Sequence, residues 1–173
     1  MGPAMQAPMI ARFLSAALLA AAALSLPVAA QVAPAANYTD MWYLPSESGW
    51  GVSFTQHTGS NQVFAVWYTY DPRQPDPSSP GGFKPLWVVM PGGTWTTPTS
   101  ITGSVYVTNG QPFTQSGSNT QLTSVGSFTF SFSSASAGTF AYTIAAPTGL
   151  ASSDPAFGLP SMSGSKSIQR QSF

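Results

Sequence analysis

Few side chains in this sequence can move a proton: five carboxylates, five cations and one histidine among 173 residues. Asp40 and Glu47 lie close in sequence, and two carboxylates brought together by a fold make the general acid/base pair of a hydrolase or isomerase. The competing role is structural. Glu47 sits between Pro45 and Gly49, a setting in which acidic side chains accept backbone N–H bonds and stabilise turns. His57 is the single imidazole, so a Ser–His–acid triad would have to use it. No G-x-S-x-G elbow accompanies it, and its place before Thr58-Gly59-Ser60-Asn61 is that of a turn residue. One His and no Cys leave no set of soft ligands for zinc or another transition metal. The Asp-containing loops carry no calcium motif. The expectation is a protein without metal or cofactor.

The residues suited to binding are more numerous. Trp42, Trp50, Trp67 and Trp87, four of the five tryptophans, fall between Asn37 and Met90 together with Tyr70. Such a cluster is either a packed aromatic core or a surface on which a sugar ring or another flat apolar ligand stacks. A buried indole N–H needs an acceptor, which favours polar groups or a cavity nearby. Lys166 and Arg170 are four apart, on one face of a strand of period two. They can meet Glu47 or Asp40 across a barrel as ion pairs, or hold an anionic group, for which Arg offers a two-pronged fork. The candidate binding residues are therefore Trp42, Glu47, Trp50, Trp67, Tyr70, Trp87, Lys166 and Arg170.

These residues must be positioned by strands. From residue 37 onward, short runs rich in Val, Phe, Tyr, Trp and Thr alternate with Gly, Pro, Asn and Ser, the pattern of strands and turns. The runs predict strands over 49–57, 62–70, 85–90, 100–108, 125–133, 138–145 and 166–173, with a further one over 38–43. In 125–133, Phe128, Phe130 and Phe132 oppose Ser127, Thr129 and Ser131, one dry face and one wet face. The 62–70 run is apolar or aromatic on both faces, which predicts a strand covered on both sides or lining a cavity. The Pro-rich stretch 71–84 is expected as a long surface loop, as is 147–165. Asn109-Gly110 signals a tight turn. Neighbouring runs joined mostly by short turns predict an all-β fold: a small antiparallel up-and-down β-barrel of about eight strands, closed so that no edge is exposed. The alternative is a two-sheet β-sandwich.

The first thirty residues stand outside this pattern. Arg12 precedes an Ala/Leu-rich run over 13–26, then Pro27 and Val28-Ala29-Ala30. A positive start, a short apolar run and small residues at the −3 and −1 positions read as a secretory signal peptide over 1–30. The run is shorter than the roughly 18 residues of a spanning helix. Residues 31–36 are then a flexible leader and 37–173 a single β-domain, secreted or periplasmic, without disulfides. After residue 30, four cations (Arg73, Lys84, Lys166, Arg170) face five carboxylates (Asp40, Glu47, Asp71, Asp76, Asp154) with no run of either sign. That excludes the basic face that a nucleic-acid partner needs and an electrostatic hold on an anionic membrane.

Several segments occur in a familiar order: Asn37-Tyr38-Thr39-Asp40-Met41-Trp42, then Pro45-Ser46-Glu47-Ser48-Gly49-Trp50-Gly51-Val52, then Trp67-Tyr68-Thr69-Tyr70-Asp71, then Pro85-Leu86-Trp87-Val88-Val89-Met90. Val125-Gly126, Thr129-Phe130, Gly138-Thr139-Phe140, Tyr142-Thr143 and 166–171 continue the series. It resembles a group of secreted proteobacterial β-domains with the hallmark N-Y-x-D-x-W-x-x-P-x-E-S-G-W-G, followed by W-[FY]-T-Y-D and P-L-W. The resemblance covers nearly all of the chain after the leader. Some members of the group are appended to secreted enzymes, which implies an accessory or binding role. The Pro-rich insertion before Lys84 and the extended loop before Lys166 depart from the pattern and would reshape a rim or mouth.

Three functions compete. The first is an exported, non-catalytic binding module for a saccharide or small apolar ligand on the Trp-rich face, at a barrel mouth. The second is a small secreted hydrolase or isomerase using Asp40, Glu47 or His57. The third is an outer-membrane β-barrel, to which the terminal Phe173 and the Phe alternation point. Against the third, Ser167, Gln169 and Gln171 share the face of Phe173, where a lipid-facing strand is apolar. Fold alone favours none of them.

Overall fold

A computed structural model describes residue 2 and residues 32–75, 78, 82–115 and 120–172, with the backbone alone at residues 74 and 75. The expected signal peptide, apart from residue 2, and Phe173 lie outside the described residues. The described residues from 32 to 172 form one compact unit.

Alternating inward and outward residues produce nine strands: β1 (Asp40–Tyr43), β2 (Gly51–Gln56), β3 (Val63–Pro75), β4 (Phe83–Met90), β5 (Thr94–Thr97), β6 (Ser100–Asn109), β7 (Gln121–Phe132), β8 (Ala137–Ile144) and β9 (Met162–Arg170). All pairings are antiparallel. β1 through β4 form a meander, β6 through β9 form another, and β1 joins β9. Val88↔Val107 and Val89↔Tyr106 join β4 to β6. This last seam closes eight strands into a barrel rather than leaving two sheets as a sandwich. β5 is an additional short strand. It pairs with β6 through Thr94↔Thr102, almost in line with the β4 register, so β4 and β5 act as one strand bent at Pro91-Gly92-Gly93.

The barrel interior is filled by rings. Phe54, Phe128, Phe130 and Phe140 are fully buried. Phe130 lies 5.1 Å from Phe54 edge-on and 5.1 Å from Phe140 stacked. Burying each such side chain stabilises the fold by about 1.5–3 kcal/mol. The outward faces of β7, β8 and β9 carry Ser127, Thr129, Ser131, Thr139, Thr143, Ser165, Ser167 and Gln169. At the base, Tyr38 stacks on Phe132 at 3.8 Å. The indole N–H groups of Trp42 and Trp95 donate to the carbonyls of Tyr38 and Asn61. Gln56 interrupts the apolar face of β2 because its side-chain oxygen accepts the Tyr38 N–H at 3.2 Å.

The structure departs from the sequence expectations at identifiable places. β3 runs on to Pro75 instead of yielding to a loop at 71. Pro72 is accommodated where the β3–β4 register shifts between Tyr70 and Pro75, since a bulge needs no ladder N–H there. Of the two expectations for β3, cover on both sides fails, because Phe64 and Tyr68 face outward and are exposed. β5 and its buried Trp95 were not expected at all. Asn109 pairs with Gln121, so β6 and β7 are not joined by a tight turn at Asn109-Gly110, and β7 begins at Gln121 rather than at 125. The last strand begins at Met162 and ends at Arg170, earlier at both ends than 166–173. Within the expected leader, Val32 and Ala36 pack against the core, and the Ala35 N–H donates to the Pro98 carbonyl.

Gly126 has a specific task. β6 and β7 shift register between Val105 and Tyr106, leaving Val125 as the extra residue of a bulge. The bulge turns both Val125 and Phe128 inward, although simple alternation would oppose them. Gly126 sits at φ +143°, and a Cβ there would strike the Thr143 carbonyl.

Candidate functional site

At the end opposite Tyr38, β1 stops at Tyr43 while β9 continues alongside. The segment 44–50 takes over there. Its turn is closed by the Glu47 N–H donating to the Leu44 carbonyl. Glu47 then uses both carboxylate oxygens: Oε1 accepts from Lys166 Nζ at 2.7 Å, and Oε2 accepts from Trp50 Nε1 at 3.0 Å. The hydrogen bond from Lys166, followed by that from Trp50, holds the Glu47 carboxyl below its ordinary range. The reciprocal bond raises Lys166. Both side chains are about one-third exposed, at 39% and 35%, so this pair stands at a wet rim.

Two cavities adjoin at this mouth and share Trp67, Thr69 and Tyr142 as walls. One, of about 210 Å³, is completed by Glu47, Trp50, Phe140 and Lys166. The other, of about 200 Å³, is completed by Tyr70, Pro72, Leu86, Val88, Ile144, Leu159 and Met162. Trp67 is 8% exposed and fixed edge-on to Phe128 and Phe140 at 5.9 and 5.6 Å. Its indole N–H is buried and has no hydrogen-bond partner among the described residues. Tyr142 lies 4.9 Å from Trp67 and crosses Gly164, where a Cβ would come within 2.7 Å of the tyrosine oxygen.

Loop 145–161 roofs the apolar cavity, with Ala156 and Leu159 buried. Arg73 anchors it: Nη1 donates to the carbonyls of Pro155 at 2.6 Å and Phe157 at 3.0 Å. Asp71 grips the other side of the guanidinium through Nε at 2.8 Å and Nη2 at 2.6 Å. Burial alone would raise the Asp71 carboxyl, but the Arg73 bonds and charge outweigh it and hold it low. Asp154 accepts from the Thr123 hydroxyl at 2.9 Å and from the Ala156 N–H at 2.8 Å, which shapes the loop.

The candidate residues divide. Trp50, Trp67, Glu47 and Lys166 meet at the polar cavity, and Tyr70 edges the apolar one. Trp42 is fully buried near the base, with its N–H satisfied. Trp87 projects outward from β4, 62% exposed, edge-on to Tyr68. The tryptophans therefore do not share one face. Arg170 reaches Asp40 at 3.6 Å, donates to the Asn37 carbonyl at 2.9 Å and lies 5.4 Å over the Trp42 ring, pinning the N-terminal segment. Both cations find the carboxylates named for them, but from neighbouring segments rather than across the barrel. His57 stands in the β2–β3 turn, where Nδ1 accepts the Ser60 N–H at 3.1 Å and contacts the Ser60 hydroxyl at 3.0 Å, without a carboxylate partner. Asp40, Glu47 and His57 do not converge. No group of His, Cys, Asp or Glu among the described residues could hold a metal ion, and no described helix is long and apolar enough to cross a membrane.

Thr69, Tyr142, Leu159 and Met162 were not among the candidates. Parity gives Thr69 and Tyr142 away, since each is two residues from an inward aromatic. Leu159 lies in a loop without period and had no signal. Fold and site thus define a closed antiparallel barrel with a filled base and a two-chambered mouth. Comparison with protein-family models, curated proteins and solved structures found no match.

Proposed function

We propose that this chain is an exported, non-catalytic binding module that takes a saccharide or small apolar ligand at the barrel mouth. The observation that carries this reading is the Trp67 N–H: buried, without an acceptor, on a side chain that walls both cavities. An unpaired buried donor costs about 1–3 kcal/mol, and a ligand oxygen that displaced the side chains covering the N–H would relieve that cost. Trp50 and Tyr142 add ring faces for stacking, and Glu47 with Lys166 adds polar groups at the rim. Glu47, Trp50, Trp67 and Thr69, which belong to the hallmark of the secreted β-domains that the sequence resembles, fall together here.

Against a hydrolase or isomerase stand the engaged oxygens of Glu47, its lowered pKa and its separation from Asp40 and His57. Against a membrane-spanning barrel stands the distribution of polarity. Such barrels are apolar outside and polar inside, whereas here rings fill the interior and Ser and Thr coat β7 to β9.

The test is a glycan array together with displacement of a fluorescent lipophile, each repeated with Trp67→Phe. Saturable binding that weakens at least tenfold in the variant supports the mouth as the site. Blank results in both assays would overturn the proposal.

A further inference from the structure

The two cavities differ in character. The one beside Glu47 is lined by the Glu47–Lys166 ion pair, Trp50 and Phe140, and shares Trp67 and the hydroxyl-bearing Thr69 and Tyr142 with the other. Among the described residues, no hydrogen bond occupies either hydroxyl. The other is lined mainly by Leu86, Val88, Ile144, Leu159 and Met162. Among the described residues, Glu47 and Lys166 are the sole charged side chains lining either chamber, and at 2.7 Å they neutralise each other. A charged ligand would have to compete with that pair, whereas a neutral one need not.

Resting on the mouth-binding reading, we infer that the ligand is a small neutral amphiphile. Its oxygen-bearing head occupies the Glu47–Lys166 chamber, of which Trp67 is a wall. Its short apolar chain or ring enters the chamber under Leu159. About 200 Å³ holds on the order of six groups, each of roughly water size at about 30 Å³. The apolar portion is thus about six carbons long. Longer chains must leave past Tyr70 and Pro72, which are exposed at the chamber edge, and gain little more.

The experiment is calorimetric titration of the protein with n-alkyl β-glucosides from methyl to decyl, beside n-alkyl carboxylates and n-alkyl trimethylammonium ions of equal chain length. Affinity is expected to rise about fourfold per methylene, to level off near hexyl, and to fall at least tenfold for either charged series. Met162→Phe, which narrows the chamber, should move the break to shorter chains; Leu86→Phe on another wall serves if that variant does not fold. Affinity independent of chain length, charged analogues bound as tightly as glucosides, or an unmoved break in the folded variant would each overturn the inference. If methyl glucoside binds in a Trp67-dependent way without a chain effect, the mouth reading stands and the amphiphile is wrong. If no member of any series binds and no lipophile is displaced, both are wrong.

Discussion

Trp42 and Trp67 allow one chemical change to be made twice in opposite circumstances. Both are inward-facing, with 0% and 8% exposure. Trp42 donates its N–H to the Tyr38 carbonyl at 3.0 Å, whereas the Trp67 N–H is buried with no partner. Replacing either by Phe removes on the order of 40 Å³ of side chain, and at about 24 cal/mol per Å³ the cavity costs about 1 kcal/mol. For Trp42→Phe, the lost hydrogen bond adds about 1–2 kcal/mol, a total of about 2–3 kcal/mol. For Trp67→Phe, removal of the orphan donor returns about 1–3 kcal/mol, so the change is neutral or stabilising. For a domain of this size, 1 kcal/mol moves Tm by about 4 °C. Trp42→Phe should therefore melt about 8–12 °C lower, while Trp67→Phe stays within about 4 °C of the parent or rises above it. Differential scanning calorimetry of both variants without ligand decides the matter. Equal losses within about 0.5 kcal/mol would mean that the Trp67 N–H is satisfied, and the argument for the site would lose its basis.

Other consequences can be measured on the same protein. The Glu47–Lys166 contact should hold segment 44–50 in place over a broad pH range. A lowered carboxyl stabilises the fold above its ordinary value of 4.5 and loses that effect as pH falls through its folded value. A raised ammonium stabilises below 10.5 and loses that effect as pH rises through its folded value. Trp50 emission should therefore be flat from about pH 5 to about pH 10 and change outside that range; a transition near neutrality would contradict the pairing. Arg73→Ala removes two charge-assisted bonds to the roof, so hydrogen exchange at 156–159 should speed at least tenfold, with a stability loss of about 1–3 kcal/mol. Unchanged exchange there would mean that the roof is held by burial alone. Gly126→Ala should cost about 3 kcal/mol or more, because the left-handed backbone and the Thr143 carbonyl both oppose a Cβ; a urea midpoint near the parent's would refute the bulge. Trp87→Ser, on the outer face, should move stability by no more than about 0.5 kcal/mol, as read from the same urea curves.

Period-two patterning carried most of the barrel. Phe128, Phe130 and Phe132, together with Phe140 and Ile144, face inward as their spacing requires, because a closed antiparallel sheet has one dry face. Pattern failed where local geometry overrides it. The bulge at Val125-Gly126 reverses inward parity, and nothing in the residues around it announces the register shift. Pro72 and Pro75 read as loop formers, yet an irregular strand end accommodates them. Trp95 lies in a strand only four residues long, below the span at which alternation can be recognised. At the site, the Lys166 and Arg170 spacing anticipated two ion pairs, since residues four apart on a strand share a face. The role of Arg73 in holding the roof escaped notice because its contacts there are the backbone carbonyls of Pro155 and Phe157, and no side-chain pattern encodes a carbonyl, although its pairing with Asp71 two residues away was open to a period-two reading.

Polar satisfaction along the barrel axis separates the half that holds the fold together from the half available to a ligand. Near the base, the indole N–H groups and the Tyr38 N–H have partners built from the chain itself, and the buried Arg170 Nε, which has no hydrogen bond, lies 3.6 Å from the Asp40 carboxylate. Trp42 finds Tyr38, Trp95 finds Asn61, and the Tyr38 N–H finds Gln56. At the mouth, Trp50 is satisfied by Glu47, but Trp67, one strand away and more deeply buried, is not. Folding pressure alone would favour Phe at that position, because burying an unpaired N–H costs more than an indole gains over a phenyl ring. The choice of Trp is accounted for if the acceptor arrives from outside the chain and displaces the side chains that cover the N–H, at a ring that walls both mouth cavities.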